Sequence, residues 1–247
     1  VAKQTGLGDN LYVSGYDLSG DVGSLSQIGG GPNLIDVTGI NSSGVERLGG
    51  LRNGQLTFSA FFNDAAGAAH PTLSALPTAD RLVSYFRGTT LGNPAAAMMA
   101  KQINYDPTRG ADASLTIAVS TLSNAYGIEW GRQLTAGKRQ DTTATGGSSV
   151  DNSAASSNGL QAYLHVFSFT GTSCTVAIQE SSDDGSGDAW QDVTGGVFTA
   201  ASGITSERIA TSNTQAVERY LRINTTGTFS ECTFAVVVVR NDTAVVF

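Results

Sequence analysis

"LQAYLHVFSF", residues 160–169, is apolar at most positions and contains no glycine, proline or formal charge. A half-buried strand alternates apolar with polar residues, and an amphipathic helix repeats every three or four. This run does neither, so it reads as a central strand covered on both faces. The sequence around it agrees. In "CTVAIQES" (174–181), Cys174, Val176 and Ile178 share one face; in "ECTFAVVVV" (231–239), the inward set is Cys232, Phe234, Val236 and Val238. "ERIAT" (207–211) and "VERYLRINTT" (217–226) supply two more strands, Val217, Arg219, Leu221 and Ile223 alternating with Glu218, Tyr220 and Arg222. Short strands separated by Gly/Ser/Asn turns predict an Ig-like β-sandwich over 160–247.

The most conspicuous acidic stretch is "QESSDDGSGDAWQDV" (179–193). It lacks the alternating ligands, sixth-position glycine and twelfth-position glutamate of a calcium loop. Asp183-Asp184-Gly185 and Ser186-Gly187-Asp188 are instead turn formers, so the stretch is read as a solvated reversal before a short strand near Trp190–Val193.

Ahead of the sandwich, "RQDTTATGGSSVDNSAASSNG" (139–159) has Val150 as its one core-type residue, so it is expected to be a linker or long exposed loop. Residues 1–138 form the expected first domain. "LYVSGYDL" (11–18) and "GQLTFSAFF" (54–62) read as strands, with Leu56, Phe58, Ala60 and Phe62 on one face of the second. Between them, 19–53 is a long glycine-rich connection, expected to be a loop, and loops of that length are commonly functional or disordered. Pro71 and Pro77 bracket a helix of about two turns. Strands follow at 81–87, 95–105, 113–122 and 126–134, although the Ala-Met run at 95–100 favours helix locally. The expected class is mainly β: a sandwich or barrel-like domain with one short helix, then a second sandwich.

Composition narrows the function. The formal charge is -7, from 14 Lys/Arg and 21 Asp/Glu, which disfavours a phosphate-binding surface. Residues 142–247 hold four of those cations and ten of the anions, so the C-terminal part carries nearly all the acidity. Only 14% of residues are charged, against about 25% in ordinary soluble domains. Such a surface repels neighbours weakly and tolerates packing against other subunits. The longest strongly apolar run, "FAVVVV" (234–239), is strand-length, and nothing reads as a membrane anchor or signal-peptide core.

No catalytic, cofactor or metal residues are assigned. His70 precedes a proline at a helix start and reads as a capping or surface residue. His165 lies in the apolar strand and reads as a hydrogen-bonded core or interface residue. Glu129 beside Trp130 is a single carboxylate, short of a glycosidase pair. Two cysteines and two histidines over the whole chain give no zinc spacing. Cys174 and Cys232 fall on inward faces and could be core neighbours; reduced thiols are favoured over a disulfide.

"AHPTLSALPTADRLVSYFRGTTLGNPAA" (69–96), "KQINYDPTRGADASLTIAV" (101–119) and "YGIEWGRQLTAGK" (126–138) resemble the major tail (tail tube) proteins of long-tailed bacteriophages, particularly those infecting actinobacteria. "QESSDDGSGDAWQDVTGGVFTA" and "RYLRINTTGTFSECTFAVVVVRN" are similar to sandwich modules appended to phage structural proteins. The resemblance implies a non-enzymatic virion protein, assembled in the host cytoplasm. It further implies six-membered rings stacked into a tube that conducts genomic DNA, with tape-measure and terminator proteins as partners. The 19–53 connection and the arm 1–10 are then the natural contacts to a neighbouring ring. Two other readings stay open: a capsid decoration protein, and a carbohydrate-binding module using Trp190, Tyr163 or Tyr220 as stacking platforms.

Overall fold

The structure is a computed structural model that describes residues 3, 5–76 and 78–244. Strand makes up 57% of the chain and helix 2%, so the fold is mainly β with one short helix. The N-terminal strands are β1 (Asn10–Val13), β2 (Tyr16–Asp17), β3 (Val22–Asp36) and β4 (Arg47–Phe61). After helix α1 (Ala69–Leu73) come β5 (Arg81–Phe86), β6 (Pro94–Gln102), β7 (Asp106–Arg109), β8 (Leu115–Ser123) and β9 (Glu129–Gln133). The remainder is β10 (Arg139–Asp141), β11 (Gly146–Asp151), β12 (Leu160–Ser181), β13 (Gln191–Val197), β14 (Thr205–Ala210) and β15 (Tyr220–Arg240). One continuous sheet runs β13-β12-β15-β9-β6-β5-β1-β2, with the other strands branching from it.

The strands expected at 160–169 and 174–181 are one strand, β12. It pairs antiparallel along its whole length with β15, which likewise joins 217–226 to 231–239. A straight strand of that length would span about 70 Å. Instead the ribbon folds over, and Leu164 and Val236 from one half share a core with Cys174, Val176 and Ile178 from the other. The fold-over sits at register shifts around Gly171, where φ is 151° and an added Cβ would lie 2.4 Å from Phe229 Cα. Only glycine lets the two strands approach so closely there.

Alternation along the strands then builds a second contact. Leu160, Ala162, Leu164 and Val166 face the ribbon's own core, while Tyr163 faces a separate layer with Tyr12, Leu82, Phe86, Ala95, Ala97, Ala235 and Val237. That layer is the seam between the N-terminal strands and the ribbon. It is why 160–166 is buried without alternation. β6 serves both sides of its strand: Ala96, Met98 and Ala100 face the N-terminal core, Ala95 and Ala97 face the seam. The local helix preference of Ala and Met is overridden because both faces are covered and small side chains let the layers close.

Several expectations differ from the structure. Residues 11–18, read as one strand, are the hairpin β1–β2, turning at Ser14 and Gly15 with positive φ. Residues 19–53 are not a loop but most of a long hairpin, β3–β4. Its "GSLSQIGGG" gives no clean period, because Leu25 and Ile28 reach the N-terminal core three residues apart across a register shift, and the half beyond Gly31 meets no core. Residues 139–159 are not an unpaired linker: β10 and β11 both add to β15, and Val150 is buried in the ribbon's core. Backbone pairing does not need apolar side chains, so Ser/Gly composition misleads there. The helix is a single turn, with Pro71 in its first turn where a missing N–H costs nothing; Pro77 lies outside the described residues. Among the described residues no helix is long and apolar enough to cross a membrane.

Candidate assembly surface

β4 has two different neighbourhoods. From Gln55 to Phe61 it pairs with β8, and Leu56, Phe58 and Ala60 are buried. Phe62 lies just past the strand, against the His70 ring at 4.6 Å between centroids, instead of extending the buried face. From Arg47 to Gly54, β3 is the only strand paired with β4 among the described residues, in pairs running from Gly30↔Gly54 to Asp36↔Arg47, and the 126–128 turn lies against Arg52–Gly54. This outer part is a two-stranded arm reaching about 20 Å beyond the sheet. Both of its outer edges present unpaired backbone groups.

The arm is also apolar. Leu51 is 83% exposed, and the cross-strand pair Ile35↔Leu48 is 51% and 57% exposed. Leu34 and Ile35 are consecutive and so project from opposite faces, which leaves neither face polar. At the tip, Val37, Ile40 and Val45 are exposed between two carboxylates, Asp36 and Glu46. Asp36 accepts from the Thr38 N–H (2.9 Å), a bond that together with the Thr38 side chain holds its carboxyl below the usual range. Glu46 accepts from Ser42 Oγ (3.0 Å). The tip is therefore shaped by its own hydrogen bonds, while its aliphatic side chains have nothing to pack on. An isolated two-stranded hairpin is marginal in water, and exposed aliphatics along it mark a contact surface.

A cleft opens further along β9. Gly54 sits so close to the 126–128 turn that a Cβ there would lie 2.4 Å from Ile128 N. Two residues on, Trp130 is 51% exposed and meets Tyr85 edge-on at 6.2 Å. β9 pairs with β15 only at Gln133 and Arg132 and then diverges from it. The cleft between them, about 300 Å³, is lined by Trp130, Arg132, Pro94, Asn152, Arg240 and Asp242 among others. Arg240 is tied down by the Ala154 carbonyl and by Asp242 at 2.5 Å, whereas exposed Arg132 has a long 3.5 Å contact to the Asp151 carbonyl.

Of the titratable residues singled out from sequence, His165, Glu129, Cys174 and Cys232 lie in the seam or core, and His70 is half-buried in α1. His165 is fully buried; Gly15 N–H donates to its Nδ1 (3.1 Å) and its Nε2–H donates to Ser84 Oγ (2.9 Å). Burial pushes its pKa down to about 3, so it is neutral. Glu129 accepts from the Tyr163 hydroxyl and pairs with Arg208 at 3.2 Å, and the Arg208 guanidinium lies 3.7 Å from the Tyr126 ring centroid. Burial, then the Glu129 charge, drives the Tyr163 phenol well above its ordinary range. His70 Nδ1 meets the Tyr105 hydroxyl at 2.6 Å. Cys174 and Cys232 are free thiols, both buried in the ribbon's core.

The sugar-platform residues are occupied. Tyr163 is buried in the seam, Trp190 packs over Gly185 and under Arg222 at 4.3 Å, and Tyr220 lies beneath Arg219 at 4.8 Å. In the acidic stretch, Asp183 accepts from the N–H groups of Ser186, Gly187 and Asp188 at 2.6–3.2 Å. Asp188 closes the turn onto Ser182 N–H at 2.8 Å, and Asp184 and Gly185 take positive φ values of 64° and 78°. It is a turn: Asp183 and Asp188 serve its own backbone, and Asp184 accepts from Ser149 Oγ of β11 (2.6 Å). Sequence reasoning singled out 19–53 as a contact segment but missed that it is an apolar hairpin, and it missed the exposure of Trp130. The available signal was the scatter of Leu, Ile and Val through a Gly/Ser-rich stretch that has no core period.

No protein-family model matches the chain, and no curated protein matches it. Among solved structures it is similar to a chain in the tail of an empty gene transfer agent (GTA) particle refined with C6 symmetry. That match has 16% identity and a TM-score of 0.39, over 49% of this chain and 95% of that one. It is also similar to SPP1 Dit (gp 19.1), a hub protein of the adsorption apparatus of phages infecting Gram-positive bacteria, at 10% identity and TM-score 0.34, over 93% and 98% of the two chains. A chain of the phage p2 baseplate in its activated conformation matches at 8% identity and TM-score 0.31, over 95% and 99%. These neighbours are tail and baseplate proteins, and at such scores each is a loose likeness in chain trace.

Proposed function

We propose that this chain is a structural subunit of a phage-type tail, one that polymerises as stacked, six-membered rings into a tube conducting DNA. The observation that carries the self-association is the β3–β4 arm, with two unpaired edges and aliphatic side chains on both faces. An arm of this kind gains stability only by lying on another surface, and copies of the same chain offer strand edges to pair with. The charge-poor Ser/Thr/Gly surface suits close lateral and axial packing. The tube itself, the ring of six and the passage of DNA rest on the resemblance of 69–138 to tail tube proteins. Function in this reading is geometric and involves no substrate turnover. On the same reading, residues 1–138 with the arm build the ring, and residues 160–247 form an outer sandwich welded to it through the seam.

The test is assembly of the purified full-length chain across a concentration series, followed by sedimentation and negative-stain microscopy. Rings or tubes are expected. Replacing Leu34, Ile35, Leu48 and Leu51 together by serine should abolish them while leaving the circular dichroism and unfolding midpoint of the single chain unchanged. A chain that stays monomeric at every concentration refutes the proposal, as do normal tubes from the serine variant.

A further inference from the structure

We propose that the cleft at Trp130 receives the arm tip of a second copy of this chain. The inference rests on the self-assembly reading above and deepens it by naming the receiving site.

Three observations lead there. The first is reach. No arm residue lines the cleft, whose Trp130 is two residues past the 126–128 turn that Gly54 touches, while the tip stands about 20 Å beyond Gly54 at the end of a hydrogen-bonded ladder. The tip cannot fold back onto its own chain's cleft without breaking that ladder, so any tip seated there comes from another copy.

The second is chemistry. The tip, residues 36–46, carries exposed Val37, Ile40 and Val45 with two carboxylates, Asp36 and Glu46, and no Lys or Arg. The cleft carries a half-exposed indole and the exposed Arg132 guanidinium, while Arg240 is buried in its pair with the exposed Asp242 carboxylate. Even with Arg47 paired across from Asp36, the tip keeps a net negative charge, and an aliphatic wedge of that kind fits an aromatic wall with Arg132 beside it. Trp and Arg in a concavity are the side chains that most often anchor interfaces.

The third is symmetry. Tip and cleft are different surfaces, so their union is heterologous: each copy gives one arm and receives one. Such a contact does not end at a dimer. It continues until a ring closes or a filament grows, as the proposed assembly requires.

Cysteine cross-linking tests the contact directly, because Cys174 and Cys232 are buried and do not compete. Full-length chain carrying Ile40→Cys is mixed with chain carrying Asp242→Cys under mild oxidation. A two-chain product requiring both variants is expected, and Trp130→Ala in the receiving chain should remove it. Trp130→Ala and, separately, Arg132→Glu should each raise the concentration needed for assembly by about tenfold or more. The Arg132→Glu chain should also lose much of the salt dependence of assembly. If rings or tubes form but Ile40→Cys links to Phe61→Cys instead, or links only to itself, the cleft assignment falls and the assembly reading survives. If assemblies form and no link to Asp242→Cys appears, the assignment falls in the same way. If no assembly forms at any concentration, both fall together.

Discussion

Two cross-strand aliphatic pairs stand at opposite extremes of this molecule. Ile178↔Ile223 in the β12–β15 ribbon is fully buried, and Ile35↔Leu48 in the β3–β4 arm is more than half exposed on each side. The pairing geometry and the chemistry are alike; only the surroundings differ. A ribbon side chain loses most of its water on folding, a gain of about 1.5–3 kcal/mol each. The arm side chains keep much of theirs, so the isolated chain gains little from them. Stability of the single chain therefore resides in the ribbon and the seam, and the arm keeps apolar surface exposed that the proposed assembly would bury.

The strongest way to break this contrast is to attack the seam. Arg208→Met strands the Glu129 carboxylate, whose side chain is 3% exposed, without its partner. A loss of about 3–5 kcal/mol in unfolding free energy is expected by denaturant titration. A loss below one kcal/mol would mean that the ion pair does not join the two halves. In the ribbon, Ile178→Ala should cost about 2–5 kcal/mol by the same measurement. The matching substitution in the arm, Ile35→Ala, should leave the monomer within about 0.5 kcal/mol while impairing assembly. Equal costs at the two positions would erase the distinction.

Acid sharpens it further. His165 has a folded-state pKa of about 3, below its unfolded value of about 6.5. The unfolded chain therefore takes up the proton first, and stability rises with pH through that window. The contribution is complete above about pH 6.5 and declines as pH falls towards 3; at pH 4.5 the loss is about 3 kcal/mol. Unfolding midpoints at pH 7 and 4.5 measure it, and His165→Gln should flatten the difference between them. The smallest effect is expected on the surface. Arg219→Ala removes an exposed pair with Asp151 (2.6 Å) and should not measurably shift the unfolding midpoint at neutral pH.

Legibility followed burial. The inward sets Cys174/Val176/Ile178 and Cys232/Phe234/Val236/Val238 are buried as their alternation predicts, and so are Leu56, Phe58 and Ala60. Phe62 failed the pattern because the strand ends one residue earlier. The arm was mistaken for a loop because strands that meet no core leave no apolar period, and 139–159 for a linker because β10 and β11 join β15 through their backbone with Val150 as their one buried aliphatic. The candidate surface was legible only as an unusual length of glycine-rich chain. Trp130 was noticed for its neighbour Glu129, yet Glu129 turns inward to Arg208 and Trp130 turns outward to the cleft, as alternation on a strand demands.

Amino-acid order alone settled the class of this protein, the inward faces of its long strands and the poverty of its surface in charge, because these depend on neighbours a few residues apart. Tertiary structure decided that four strand segments are two folded-over strands, that the halves meet in one seam, and that a connection is an arm. Those outcomes depend on which backbone edges and faces find partners tens of residues away, and no local pattern of side chains records that.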